Sequence, residues 1–306
     1  MLAALILMIV AIAAIQADIA VPQVFSDHMV LQAGLAAPIF GTAAPGEKIT
    51  VRIKGQTQKT QAAKDGKWLV KLAPLKPGGP HELKIAGKNT ITIKDVLVGE
   101  VWLASGQSNM RYPLVRAKDG KAEMDKADFP KIRYCMGTGP WVICSPRSCR
   151  NFSAVAYFFA VDLHANRKVP VGIIENAVSG AVAQVFVSKE AFDADPRLTE
   201  MVSKHKHNTG ANSSVWDKSI APVVPYGIKG ALWFQGEGNR DFPVTYRKLL
   251  TALIADWRKQ WGQGDFPFLV CQLTNFRQRS EKPREGKDCS LRDAQLKVVQ
   301  AVPNTA

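Results

Sequence analysis

From Val21 to Lys94 the chain alternates apolar and polar residues in short runs. In I-T-V-R-I-K the side chains of Ile49, Val51 and Ile53 share one face, and in K-W-L-V-K-L those of Trp68, Val70 and Leu72 do the same. That period of two is what a half-buried strand requires. Pro45-Gly46, Asp65-Gly66 and Pro77-Gly78-Gly79-Pro80 separate such runs and read as turns. The pattern predicts a small, sandwich-like β-domain over residues 18–95.

After Asp95 the rhythm changes. Val96 to Ala104 is a near-continuous apolar run, the mark of a strand buried on both faces. Ser153 to Arg167 carries Val155, Ala156, Phe159, Ala160 and Leu163 at helical spacing, and Val171 to Ile174 is again an apolar strand. Lys189 to His207 reads as a helix, Ile228 to Phe234 as a strand, Val244 to Trp261 as a long amphipathic helix, Phe266 to Leu273 as a strand and Leu291 to Val302 as a helix. This alternation predicts a second domain, residues 96–306, of α/β class, with a parallel sheet covered on both faces. Such sheets bind ligands beyond the carboxyl ends of their strands. Three small polar clusters fall there: S-G-Q-S-N-M, N-A-V-S-G and Q-G-E-G-N.

Residues 1–17 form an apolar run, short for a membrane span, that ends in small residues near Ala17. It reads as a signal peptide, which makes the protein exported, whether periplasmic, extracellular or on the cell surface. A basic segment ahead of the run is missing, and a buried helix or a membrane anchor is the alternative.

The 306 residues hold 40 Lys and Arg against 26 Asp and Glu, a net charge of +14. Such a balance attracts anionic glycans, anionic surfaces or nucleic acid. The basic residues are scattered, however, clumping only at Lys204-His205-Lys206-His207 and from Arg277 to Lys287. With no basic stripe and no interleaved aromatics, a solvated surface is the expectation and nucleic acid is not an expected partner. Five cysteines (Cys135, Cys144, Cys149, Cys271 and Cys289) make neither a disulfide scaffold nor a C-x-x-C site, although Cys144 and Cys149 are near enough in sequence to bridge in an exported protein. Asn151 and Asn212 begin N-x-S/T sequons, and Asn151 reads equally as a helix cap. No metal-ligand cluster, P-loop or dinucleotide fingerprint is present, so no cofactor is expected.

Ser108, in the first polar cluster, has two readings. At a strand-to-helix turn its hydroxyl would be exposed, beside a helix start that favours developing negative charge, as a nucleophile needs. Equally, it would serve as the cap of that helix. Gly180 and Asn239 shift the balance, because acyl transfer needs donors aimed at a tetrahedral oxyanion, and a glycine amide and an asparagine amide both suit.

The stretches V-F-S-D-H-M-V-L-Q, G-E-V-W-L-A-S-G-Q-S-N-M, I-A-P-V-V-P-Y-G-I-K-G, W-F-Q-G-E-G-N and L-I-A-D-W-R-K-Q-W-G resemble sialate O-acetylesterases of the SGNH hydrolase superfamily, over about Val21 to Gln295. The resemblance implies an exported carbohydrate O-acetylesterase, with a β-domain ahead of a three-layer α/β/α domain. It makes Ser108 the nucleophile, with Gly180, the Ser108 amide and the Asn239 side chain as oxyanion donors, and an O-acetylated sugar or glycan as substrate. Gln107 and Glu237 are candidate substrate contacts. The chain departs from the family at Val178-Ser179-Gly180-Ala181, where W-G-G-T is usual, and at Gly238, where the family has serine.

The family's general base is a histidine in a D-x-x-H motif near the C-terminus, and no such motif follows L-R-D-A-Q before Ala306. None of His28, His81, His164, His205 and His207 has that spacing. A serine hydroxyl needs a base within hydrogen-bond reach. The expectation is therefore a chain incomplete at its C-terminus and impaired as it stands. The rival reading is a glycan-binding or structural surface protein without catalysis, and within the esterase reading an acetylated plant polysaccharide such as xylan is the alternative substrate.

Overall fold

The computed structural model describes residues 18–203, 210–274 and 286–306. The leader reading of residues 1–17, His205, His207 and most of the two basic clumps lie outside them. The strands are β1 (Val30–Gln32), β2 (Pro38–Thr42), β3 (Lys48–Ile53), β4 (Gln56–Gln61), β5 (Lys67–Lys71), β6 (Gly78–Ala86), β7 (Thr90–Gly106), β8 (Phe129–Met136), β9 (Trp141–Cys144), β10 (Val171–Ala177), β11 (Gly230–Phe234) and β12 (Phe268–Val270). The helices are α1 (Gly120–Asp125), α2 (Ala154–Arg167), α3 (Lys189–Ala194), α4 (Pro196–Ser203), α5 (Pro243–Trp261) and α6 (Lys287–Ala301).

In the N-terminal part β4, β3, β6 and β7 pair antiparallel in that order, while β2 pairs with β5. The alternation holds, with Ile49, Val51, Ile53, Trp68, Val70 and Leu72 all buried. Residues 78–80, expected in a loop, instead begin β6, with irregular register against β7. Glycine allows this approach, since a Cβ on Gly79 would lie 2.8 Å from the Val96 carbonyl oxygen.

Strand β7 is the axis of the molecule. Its first half pairs with β6 and its second half lies between β10 and β11, both parallel to it. The expected boundary at residues 95 and 96 falls inside this strand, at Asp95, whose φ is +53°. Asp95 accepts from Arg133 Nη1 and pairs with His28 Nδ1, both at 2.7 Å. Burial opposes its charge, but those two bonds outweigh burial and hold the carboxyl below the usual range.

The central sheet runs β9, β8, β10, β7, β11, β12, parallel except for the edge strand β9. Alternate residues of β7 face opposite layers: Val101 and Leu103 pack with α5 and α6, Trp102 and Ala104 with α2. The fold is thus α/β, three layers deep, as expected. Helix α5 begins at Pro243 and ends at Gly262, whose left-handed φ of +61° lets its amide reach the Arg258 carbonyl. Leu249, Leu250, Leu253 and Ile254 are fully buried, each contributing about 1.5–3 kcal/mol against exposure. Within the same helix, buried Asp256 accepts from the amide and hydroxyl of Ser188, both at 2.7 Å, which anchors the start of α3.

The expected helix from Lys189 to His207 is broken at Pro196 into α3 and α4, because proline lacks the amide that would continue α3. Helix α2 is capped by Ser153, which accepts from the Ala156 amide, and not by Asn151. Cys144 and Cys149 are free, buried thiols. Among the described residues no helix is long and apolar enough to cross a membrane.

Candidate active site

Three loops leave the carboxyl ends of neighbouring strands: residues 107–113 after β7, 178–187 after β10 and 235–242 after β11. Since β7 lies between β10 and β11, its loop sits between the other two. Gly106 ends β7 with φ +138°, and a Cβ there would stand 2.2 Å from the Phe234 carbonyl oxygen, so only glycine lets the chain turn this closely against β11. The Gln107 amide then donates to that same carbonyl at 3.1 Å.

Ser108 follows in an exposed turn. Its hydroxyl makes no hydrogen bond with another described residue. The expected helix does not begin here, and the capping reading of Ser108 falls with it. Residues 107–110 are turn and Leu114–Arg116 is a single 3₁₀ turn, since Pro113 disfavours helical backbone at Tyr112.

Gly180 lies in the second loop, exposed, with φ +75°, a left-handed turn that suits glycine. Asn239, in the third loop, is 2% exposed. Its Oδ1 accepts from the Ala183 amide and from Gln235 Nε2, each at 2.9 Å. Its Nδ2 donates one hydrogen to Gln184 Oε1 at 3.0 Å, and no described residue accepts the other. Gln235 Nε2 donates as well to the Ala181 carbonyl at 3.1 Å, so one side chain clamps the Gly180 turn to Asn239.

Gln107 and Glu237, the two candidate substrate contacts, serve as cross-ties between loops. Gln107 is 3% exposed, and its Oε1 accepts the amides of Gly236 at 3.2 Å and Gly238 at 3.3 Å. Glu237 Oε1 accepts from Asn109 Nδ2. Its Oε2 is buried with no hydrogen-bond partner among the described residues. Gln184, Gln235 and Asn109 hold this arrangement together. Gln235 and Asn109 stand inside quoted motifs, but Ala181 and Glu237, which they reach, lie 54 and 128 residues away and give no local signal of the contact.

Unused donors therefore remain on all three loops: the amides of Ser108 and Gly180 and one Nδ2 hydrogen of Asn239 have no acceptor among the described residues. Such a set can bind an oxyanion.

The described histidines stand elsewhere. His81 pairs with Val96 on β7, ten residues before Gly106 (106 − 96), about 33 Å at roughly 3.3 Å per residue. The His28 amide donates to the Lys94 carbonyl, near the same place. His164 Nδ1 donates to the Val169 carbonyl at 2.6 Å, at the amino end of β10.

A family model described as "Carbohydrate esterase, sialic acid-specific acetylesterase" matches residues 98–305. The sialate O-acetylesterase of Homo sapiens is 28% identical over 295 residues, 82% of this chain and 56% of that protein. The Mus musculus sialate O-acetylesterase is also 28% identical, over 319 residues, 82% of this chain and 59% of the relative. The chain thus spans little more than half the length of these curated relatives. The crystal structure of XAC1771, described as a novel carbohydrate acetylesterase from Xanthomonas citri, superposes with a TM-score of 0.83 at 30% identity, covering 94% of this chain and 67% of that one. With its parallel sheet, its three cross-tied loops and a family match over most of its length, the chain belongs to the sialic acid-specific acetylesterase family of carbohydrate esterases.

Proposed function

We propose that this chain carries the nucleophile and oxyanion site of a serine-dependent carbohydrate O-acetylesterase. One observation carries the reading: Ser108 presents an unengaged hydroxyl at the carboxyl end of the central strand, between loops that offer amide donors without acceptors.

In this reaction Ser108 Oγ attacks the acetyl carbonyl carbon while a base takes its proton. The oxyanion lies on the Ser108 and Gly180 amides and on Asn239 Nδ2. Collapse expels the sugar oxygen, which leaves protonated, and water then releases acetate from the serine ester. Gln107 and Glu237 act as positioning residues that fix the loops. The base is the part that the described histidines do not supply. Loss of a triad member costs on the order of a thousandfold to a millionfold in rate, so the base is expected to matter to turnover as much as Ser108 does.

The family match and the sialate O-acetylesterase relatives favour an O-acetylated sialic acid as substrate, with acetylated xylan as the alternative. The apolar run at residues 1–17 favours export, to the periplasm, the cell surface or the medium. The test is acetate release from O-acetylated sialic acid and from acetylxylan, by the protein and by Ser108→Ala. The variant loses release, and equal release by both overturns the proposal. The distance of the described histidines from Ser108 favours a second reading, a glycan-binding protein without turnover, which predicts saturable binding with no acetate from either form.

A further inference from the structure

Beside the Ser108 turn a pocket of about 240 Å³ opens at the carboxyl ends of β8 and β10, walled by Arg111, Met136, Glu175, Asn176, Val178 and Ser219. None of these side chains takes part in the bond-breaking step above. The backbone joins the pocket to the site: the Arg111 amide donates to the Gln107 carbonyl, and the Val178 amide to the Gly106 carbonyl, both at 3.0 Å.

Its polar groups are unevenly satisfied. Arg111 Nη1 donates to the Ala177 carbonyl at 3.1 Å, which fixes the guanidinium while its other N–H groups have no acceptor among the described residues. Asn176 is 3% exposed, and its Nδ2 donates to the Ser219 carbonyl at 2.9 Å. Its Oδ1 is buried and accepts from no described residue, so it is closed off from the pocket's open space and Asn176 serves to hold the Ser219 side of the wall. Glu175 is the one acid in the wall. It is 2% exposed and accepts the Tyr134 hydroxyl. Burial raises its pKa, against the opposing effects of the Tyr134 hydrogen bond and the Arg111 charge.

The pocket therefore offers a planar cation with N–H groups to spare within one small volume. A guanidinium binds a carboxylate through two parallel hydrogen bonds, a geometry that a neutral hydroxyl cannot match. The volume falls below the 300–1,000 Å³ or so usual for whole drug-sized ligands, which suits part of a single sugar better than a polymer segment. Resting on the esterase reading, we propose that this pocket holds the sugar of the ester and that Arg111 selects sugars bearing a carboxylate.

Titration calorimetry of the 306-residue chain with free sialic acid and with its methyl ester tests this. The acid binds at least tenfold tighter than the ester, Arg111→Gln abolishes the difference, and Ser108→Ala leaves it intact. Because Arg111 also holds the Ala177 carbonyl, Met136→Trp is measured alongside. Met136 is 40% exposed, and the larger side chain fills the pocket and weakens both ligands without disturbing the core. Thermal unfolding verifies that each variant is folded. Equal affinity for acid and ester, no binding of either, discrimination that survives Arg111→Gln, or binding indifferent to Met136→Trp overturns the assignment. The esterase reading fails separately, on acetate release that persists in Ser108→Ala.

Discussion

Gln107 Oε1 accepts the Gly236 amide at 3.2 Å, across 129 residues of sequence, and so ties the Ser108 turn to the loop that bears Asn239. The same oxygen takes the Gly238 amide. Gln107→Ala leaves the buried Gly236 amide and the Gly238 amide without an acceptor. The expected loss is about 1–3 kcal/mol, read as a lower urea midpoint at unchanged slope. Stability within error of the parent would show that the tie is not needed.

Asn239→Ala removes the candidate oxyanion donor together with two acceptor bonds that hold Ala183 and Gln235. Under the esterase reading, acetate release falls by about a hundredfold to a thousandfold, the cost typical of one oxyanion donor. Ser108→Ala, by contrast, leaves the unfolding midpoint within about 0.5 kcal/mol of the parent, because an exposed hydroxyl with no partner supports nothing. A Ser108→Ala variant that unfolds easily would mean that the serine is structural.

Gly106→Ala is expected to prevent correct folding. Its Cβ would sit 2.2 Å from a backbone oxygen, at φ +138°. Gly137→Ala is the control, with φ +66° and nothing within 4 Å, and should cost only about 1 kcal/mol. Soluble yield and melting temperature of the two variants distinguish clash from strain, and similar behaviour would contradict the close approach of β7 to β11.

Two carboxyls should give opposite pH signatures. Glu175 has a raised pKa, chiefly through burial, so its contribution is fully present below the ordinary value of 4.5 and is lost as pH rises through the folded value. Relative to Glu175→Gln, whose amide oxygen still accepts from Tyr134, the parent loses stability from pH 4 upward. Asp95 has a lowered pKa, because hydrogen bonds from Arg133 and His28 overcome its burial, so its contribution is present above the ordinary 3.8 and is lost as pH falls through the folded value. Asp95→Asn should therefore narrow the gap to the parent on acidification. Unfolding midpoints across this range decide the matter, and slopes of the same sign for the two pairs would refute it.

The strands that carry the site were legible because burial on both faces forces unbroken apolar runs, as from Val96 to Ala104. Residues 111–152 gave no such signal. Strand β8 holds Arg133, 4% exposed and neutralised by Asp95 from 38 residues away, and a charged residue in the middle of a strand masks its periodicity. Ser108, Gly180 and Asn239 are candidates that the sequence offers by residue type, which limits what the backbone or side chain can do there. Gln107 and Glu237 are offered by their motifs as well, but their neighbours in space come from other loops, and only the folded chain shows them tying loops together. Gln235 and Gln184 were missed for the same reason.

Strand β7 gives the molecule a single backbone thread from the antiparallel strands β4, β3 and β6 into the central parallel strands. Each ladder bond lost near Thr90 loosens the same strand that, further along, aims Ser108. Amides from Val96 to Ala104 should therefore exchange with solvent in one collective opening, at a free energy close to that of global unfolding. In cooperative terms, the N-terminal hairpin is part of the lever that keeps the serine in place.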